Sequence, residues 1–161
     1  MSELLITSHL ERLQKGQVFT EDLPLHLTIW QYFTIDGPRV GDFTDELGDV
    51  MAGFSPLEII GAERDDFGQN NDVSVRRVRT LGAGATVCAL HAVLGAVIEA
   101  YEGRISNPEW AYQNYNPHIT YVDGAAIEKG ETTTLDQIEL VERLQSPKRK
   151  IIRQVWALEE I

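Results

Sequence analysis

From Leu23 to Ile35 the chain reads LPLHLTIWQYFTI, a run dominated by β-branched and aromatic residues, and this predicts a strand. Side chains alternate along a strand, which places His26, Thr28 and Trp30 on one face. Asp36-Gly37-Pro38 breaks the run. Apolar positions at Phe43, Leu47, Val50, Met51 and Phe54 then recur at helical spacing, and Ser55-Pro56 ends that helix. Leu57 to Ala62 and Val73 to Leu81 predict two strands joined by a polar loop from Arg64 to Asn71. Thr86 to Tyr101 is the clearest helix, with Val87, Leu90, Leu94, Val97, Ile98 and Tyr101 on one side. Gly82 and Gly84 precede it and Gly103 follows, as helix punctuation requires. A loop over 104–117, rich in Asn, Pro and aromatics, leads to a short strand, His118 to Val122. Two closing strands follow, Thr132 to Leu144 and Ile151 to Leu158, hinged at Ser146-Pro147-Lys148. Residues 2–16 mix apolar and charged positions and leave helix and strand both open.

Composition narrows the class. The 161 residues are 43% hydrophobic and 24% charged, close to a globular average, and suffice for one compact domain. The net charge of -11 argues against long duplex nucleic acid, because a protein that replaces phosphate counterions needs a basic stripe. The densest basic runs are Lys148-Arg149-Lys150, followed by Arg153, and Arg76, Arg77 and Arg79. Small nucleotides or RNA ends are the better expectation for a phosphate ligand. Cys88 is the only cysteine, so no intrachain disulfide can form, and its apolar neighbours Val87, Ala89 and Leu90 predict a packed thiol. No run reaches the roughly 20 apolar residues of a membrane span, and the N-terminal residues lack a signal-peptide pattern. A cytoplasmic monomer without membrane association is expected.

One internal echo carries chemistry. Pro24-Leu25-His26-Leu27-Thr28 and Pro117-His118-Ile119-Thr120 both place His-x-Thr on a short apolar strand. His and Thr two apart on a strand point the same way, so an imidazole and a hydroxyl reach one phosphate. Two such strands facing each other supply a base for the attacking oxygen, an acid for the leaving oxygen and two hydroxyls for the phosphate. An imidazole titrates near pH 6.5 and serves either proton task. No metal or other cofactor is then required, and the chain shows no His-x-His, HExxH or cysteine cluster.

His26-Leu27-Thr28-Ile29 and His118-Ile119-Thr120-Tyr121 resemble the paired H-x-[ST]-x signatures of the two-histidine phosphoesterases, the superfamily of LigT-like 2′-5′ RNA ligases and cyclic phosphodiesterases. The element order and the ending, Thr134 to Leu140 and Val155 to Leu158, are similar as well. The resemblance implies an α+β fold of two pseudo-symmetric lobes, each an antiparallel sheet backed by a helix, with the site in the cleft between them. It also implies metal-independent chemistry on 2′,3′-cyclic or 2′-5′ phosphodiesters, with His26 and His118 as acid and base and Thr28 and Thr120 as phosphate ligands.

Other residues are weaker candidates. Tyr112 and Tyr115, with Trp110, are placed to stack a nucleobase. Trp30 follows His26 at strand spacing as a pocket floor, and Arg39 lies close enough in sequence to meet a phosphate. His91 reads as a hydrogen-bonded core histidine and His9 as a surface one. The rival functional reading is a catalytically idle nucleotide- or RNA-binding module that keeps the same cleft; intact pairs of proton-transfer groups argue against it.

Overall fold

The β-branched runs form ten strands among the described residues, and the periodic stretches form the two α-helices. In the computed structural model, which describes residues 2–67, 70, 72–145 and 147–160, the strands are β1 (Ser2–His9), β2 (Val18–Phe19), β3 (His26–Ile35), β4 (Leu57–Phe67), β5 (Val73–Thr80), β6 (Arg104–Ile105), β7 (His118–Thr120), β8 (Thr132–Leu135), β9 (Gln137–Gln145) and β10 (Lys148–Ala157). The helices are α1 (Val40–Met51) and α2 (Val87–Ala100). The class is α+β, as expected.

All strand pairs are antiparallel, in the order β2-β10-β9-β1-β3-β7-β5-β4-β8 with β6 beside β3. The sheet curls into a half-barrel. Its two halves, β2-β10-β9-β1-β3 and β7-β5-β4-β8, meet where Leu27 of β3 pairs with Ile119 of β7. The motif strands are therefore direct neighbours. The cleft is the concave face of one continuous sheet.

Each face of the sheet has its own apolar cluster. Leu4, Ile6, Leu27, Ile29 and Phe33 pack beneath the helices, with Phe43 and Leu47 of α1 and Leu90, Leu94 and Ile98 of α2. On the other face Leu5, Val141 and Ile152 pack with Leu13 and Leu23 from the connection between β1 and β3. That connection is tied down by backbone bonds from Leu10 N to the Leu25 carbonyl and from Gly16 N to the Ile152 carbonyl. Alternation along β1 explains the division, since Leu5 points away from the face that Leu4 and Ile6 share.

Several expectations need correction. Residues 2–9 are a central strand, because their apolar positions are buried on both sides. The closing run from Thr132 divides at Asp136: β8 pairs with β4, whereas β9 pairs with β1 and β10 in the other half. The polar stretch from Arg64 to Phe67 continues β4, with its charges on exposed strand ends and the Arg77–Asp65 pair bridging to β5. Helix α1 starts three residues earlier than its apolar spacing suggested, after a 3-10 turn over Gly37–Arg39. Cys88 is exposed, because the apolar stripe of α2 turns Val87 and Leu90 inward and leaves position 88 outside. The proposed hinge includes Ser146, which lies outside the described residues. No helix among the described residues is long and apolar enough to cross a membrane.

Candidate functional site

The pairing of Leu27 with Ile119 decides the site. In that antiparallel register His26 stands opposite Thr120, and Thr28 stands opposite His118. Leu27 and Ile119 are fully buried toward the helices, so all four motif side chains share the concave face. Directly opposed residues approach to about 5 Å at Cβ, and the diagonal His26–His118 separation is about 7–8 Å at Cα. The two His-x-Thr motifs are thus related by a local two-fold axis through the Leu27–Ile119 pair.

Both histidines are held in one tautomer. His26 Nδ1 lies 2.8 Å from the Pro24 carbonyl oxygen, and His118 Nδ1 lies 2.8 Å from that of Asn116. A carbonyl only accepts, so each Nδ1 carries the proton and donates it, which leaves each Nε2 as the reactive nitrogen of the neutral ring. Burial lowers the His26 pKa to about 4, with further lowering from His9, His118 and Lys150 against the opposing Pro24 bond. His118 is also lowered by burial, partly offset by its Asn116 bond, and Arg77 lowers it further. Both therefore stand neutral at pH 7 in the free protein. A bound phosphate raises whichever imidazole donates to it.

The sheet continues the polar row on both sides. Arg77 of β5 pairs in register with His118 and is held by Asp65. Phe67 presents its ring to His118 edge-on at 4.8 Å and stacks with Trp110 at 5.9 Å. On the other side Thr7 pairs with Thr28 and His9 pairs with His26. A concavity of about 430 Å³ opens over His26, Thr28 and Thr120, with Leu23, Tyr32 and Lys150 on its walls. His118 lies beyond Thr28 on a separate crevice of about 20 Å³, room for one water.

Solved structures share this arrangement of elements. E. coli LigT in complex with NADP+ superposes with a TM-score of 0.61 at 12% identity over 99% of this chain and 98% of LigT. The same protein in complex with 3′-AMP gives 0.62 at 13% identity over 99% of both chains. TT0787 of Thermus thermophilus gives 0.64 at 15% identity, covering 99% of this chain and 100% of that one. The fold is that of LigT. In sequence no family model matches the chain and no curated protein does, so the likeness rests on the path of the chain rather than on residue identity.

Within this LigT-like fold the weaker sequence candidates find other places. Trp30 does not share the face of His26 and Thr28. One step along β1, from Ile6 to Thr7, spans two on β3, from Trp30 to Thr28. This bulge turns Trp30 to the helix side, where it is 2% exposed and its indole donates to the His91 carbonyl. Gly95 permits that approach, since a Cβ there would lie 2.7 Å from the indole. Tyr115 is no open stacking platform either. Its ring lies flat on His91 at 4.0 Å, and its hydroxyl donates to the Thr28 carbonyl. It braces the motif strand from below. Tyr112 packs edge-on to Trp30 and donates to Glu99. Arg39 lies over the Tyr101 ring, beside α1 and away from the cleft. Trp110 alone of the loop aromatics is exposed near a motif histidine.

His91 is the bonded core histidine expected. Its Nδ1 donates to the Ile29 carbonyl and its Nε2 accepts from Tyr112 N. His9 is the opposite of the expectation: it is 5% exposed and stands beside His26. Sequence reading passed over it because the Thr lies two residues before it. Thr7-Ser8-His9 is the motif written backwards, which is how an antiparallel neighbour strand must present matching side chains. Glu139 and Phe67 carried no local signal, and Arg77 and Lys150 stood out only as members of the basic runs. Among the described residues no group of three or more His, Cys, Asp or Glu side chains is arranged to hold a metal ion.

Proposed function

We propose that the chain is a two-histidine phosphodiesterase that opens 2′,3′-cyclic or 2′-5′ phosphodiester bonds in small nucleotides, nucleotide messengers or RNA ends. The observation that carries this reading is the register that sets His26, Thr28, His118 and Thr120 around one point on the concave face. One imidazole takes the proton of the attacking water or hydroxyl through Nε2, and the other protonates the leaving ribose oxygen. The Thr28 and Thr120 hydroxyls donate to the non-bridging oxygens as negative charge builds on them. Lys150 and Tyr32 on the cleft wall suit the phosphate and sugar of a small ligand. That LigT was crystallised with 3′-AMP and NADP+ supports a ligand of nucleotide size. The reading extends to one two-lobed domain over residues 1–161, acting as a cytoplasmic monomer without membrane contact.

The test is turnover of a panel of 2′,3′-cyclic nucleotides, 2′,3′-cyclic-ended RNA and 2′-5′ oligoadenylates in EDTA. Hydrolysis of at least one class, unaffected by the chelator, is expected. Tight binding with no turnover across the panel would favour the idle binding module. Turnover that disappears in EDTA and returns with a divalent ion would refute the metal-independent mechanism.

A further inference from the structure

The buried polar groups beside His26 have no place in that mechanism so far. Thr7, His9 and Glu139 share the concave face with the motif residues, since Glu139 pairs with Thr7 and Thr7 with Thr28 in register. Three donors converge on one oxygen, Glu139 Oε1: the Thr7 hydroxyl at 2.9 Å, His9 N at 3.2 Å and His9 Nδ1 at 2.6 Å. The side chains of His9 and Glu139 are wholly inaccessible. Glu139 Oε2 and His9 Nε2 are buried without a partner. A polar cluster this dry costs stability, and the apolar residues around it show that the position is compatible with a hydrocarbon side chain. Its neighbour suggests what it does: the His9 and His26 rings lie 4.9 Å apart, tilted by 32°.

We propose that His9, clamped by Glu139 and Thr7, is a positioning residue that covers one flank of His26 and holds it unprotonated, so that His26 is the proton acceptor of the site and His118 the proton donor. This rests on the two-histidine reading above. The clamp fixes the His9 ring, and the ring covers one flank of His26 that water would otherwise solvate. Two rings in this contact do not both become cationic. The other charges facing His26 are Lys150 from β10 and His118 from β7, and both also oppose its protonation. Glu11 favours a charged His9, against the larger effect of burial. Burial also pushes Glu139 up to about 8 and His9 down to about 4. Burial thus opposes charge on both members of the pair. The ring beside His118 is no imidazole but that of Phe67, edge-on at 4.8 Å, and the register neighbour Arg77 is tied to Asp65.

The decisive measurement is the titration of each histidine by ¹H–¹⁵N NMR of the free protein, which needs no substrate. In wild type His26 stays neutral well below the ordinary imidazole range. In His9→Ala both the lost cover and the lost ring act in the same direction, and His26 titrates near an ordinary imidazole while His118 hardly moves. His9→Gln, similar in volume and able to donate to Glu139, gives the same result if the alanine variant does not fold. Glu139→Gln keeps an oxygen for all three donors and leaves His26 within a few tenths of wild type. On any substrate turned over, His9→Ala shifts the acid limb of the kcat profile upward with KM nearly constant. An unmoved His26 titration in a folded His9 variant overturns the proposal, even if the protein proves to be a phosphodiesterase. Absence of turnover with the expected titrations overturns the phosphodiesterase reading and leaves the His9 contact standing.

Discussion

The two His-x-Thr motifs are nearly identical in sequence and differ in what their strands touch. Around His26 the neighbour strand supplies His9, backed by Glu139, and a concavity of about 430 Å³ opens there, with Leu23 and Lys150 on its walls. Around His118 the neighbour strand supplies Arg77, neutralised by Asp65, and the aromatic pair Phe67 and Trp110 borders open solvent. The same imidazole, in the same tautomer and bonded each time to the carbonyl two residues before it, thus stands beside a buried His–Glu pair on one side and beside an ion-paired arginine and an aromatic ring on the other. Symmetry of motif does not give symmetry of role, because proton affinity depends on desolvation and nearby charge rather than on the motif itself.

The largest effect expected is on turnover. His26→Ala and His118→Ala should each lower kcat by about 10²–10⁴-fold, the usual worth of a general acid or base. Their double variant should lose little more, because both act on one transition state. Equal losses with different pH profiles would sharpen the asymmetry. Persistence of activity within a few-fold in folded His118→Ala would break it by making His118 a bystander. Thr28→Ala and Thr120→Ala each remove one hydroxyl donor while the other remains, and a smaller loss in kcat than for either histidine is expected.

Next comes a shift in stability with pH. His9, His26, His91 and His118 are all lowered by burial. A depressed folded pKa means that the unfolded chain binds protons more readily below about 6.5. Their contribution is therefore complete above that value and is lost as pH falls below it, for His9 and His26 through about 4. Glu139, raised to about 8, works in the opposite sense: its contribution is full at low pH and is lost as pH rises through that value. Four groups outweigh one, so Tm should fall steadily between pH 7 and pH 4.5. His26→Asn should flatten that slope more than a change at a surface residue. A flat Tm over this interval would mean that the histidines are solvated.

The smallest effect is expected at the open end. Trp110→Ala should raise KM by about threefold to tenfold if its exposed ring stacks a base, since such stacking is worth about 1–3 kcal/mol when fully engaged. Tm should change little, as Trp110 is 42% exposed. An unchanged KM would mean that the Trp110 ring takes no part in binding.

Much of the architecture was legible along the chain because it depends on short-range periodicity. The helix from Thr86, the strand at His26, the break at Gly37-Pro38 and the paired His-x-Thr motifs all follow from spacings of two or about 3.6 residues. Where sequence reading erred, a long-range partner overrode a local preference. Asp136 divides a continuous apolar run because β8 and β9 pair with strands in opposite halves of the sheet. Trp30 changes face through a bulge that exists only against β1. His9 looked like a surface histidine because nothing within the first sixteen residues shows that Glu139 will lie 2.6 Å from its ring.

The sequence by itself determined the chemistry on offer: two imidazoles and two hydroxyls at strand spacing, in an acidic chain without a cysteine pair. Tertiary structure alone decided that β3 and β7 are adjacent and in the register that gathers those four groups. It also decided that one histidine is packed against a buried His–Glu pair while the other faces an arginine. The physical reason is that alternation along a strand is a local property of L-amino acids, whereas register and burial are set by contacts between residues more than a hundred positions apart, such as Thr7 and Glu139.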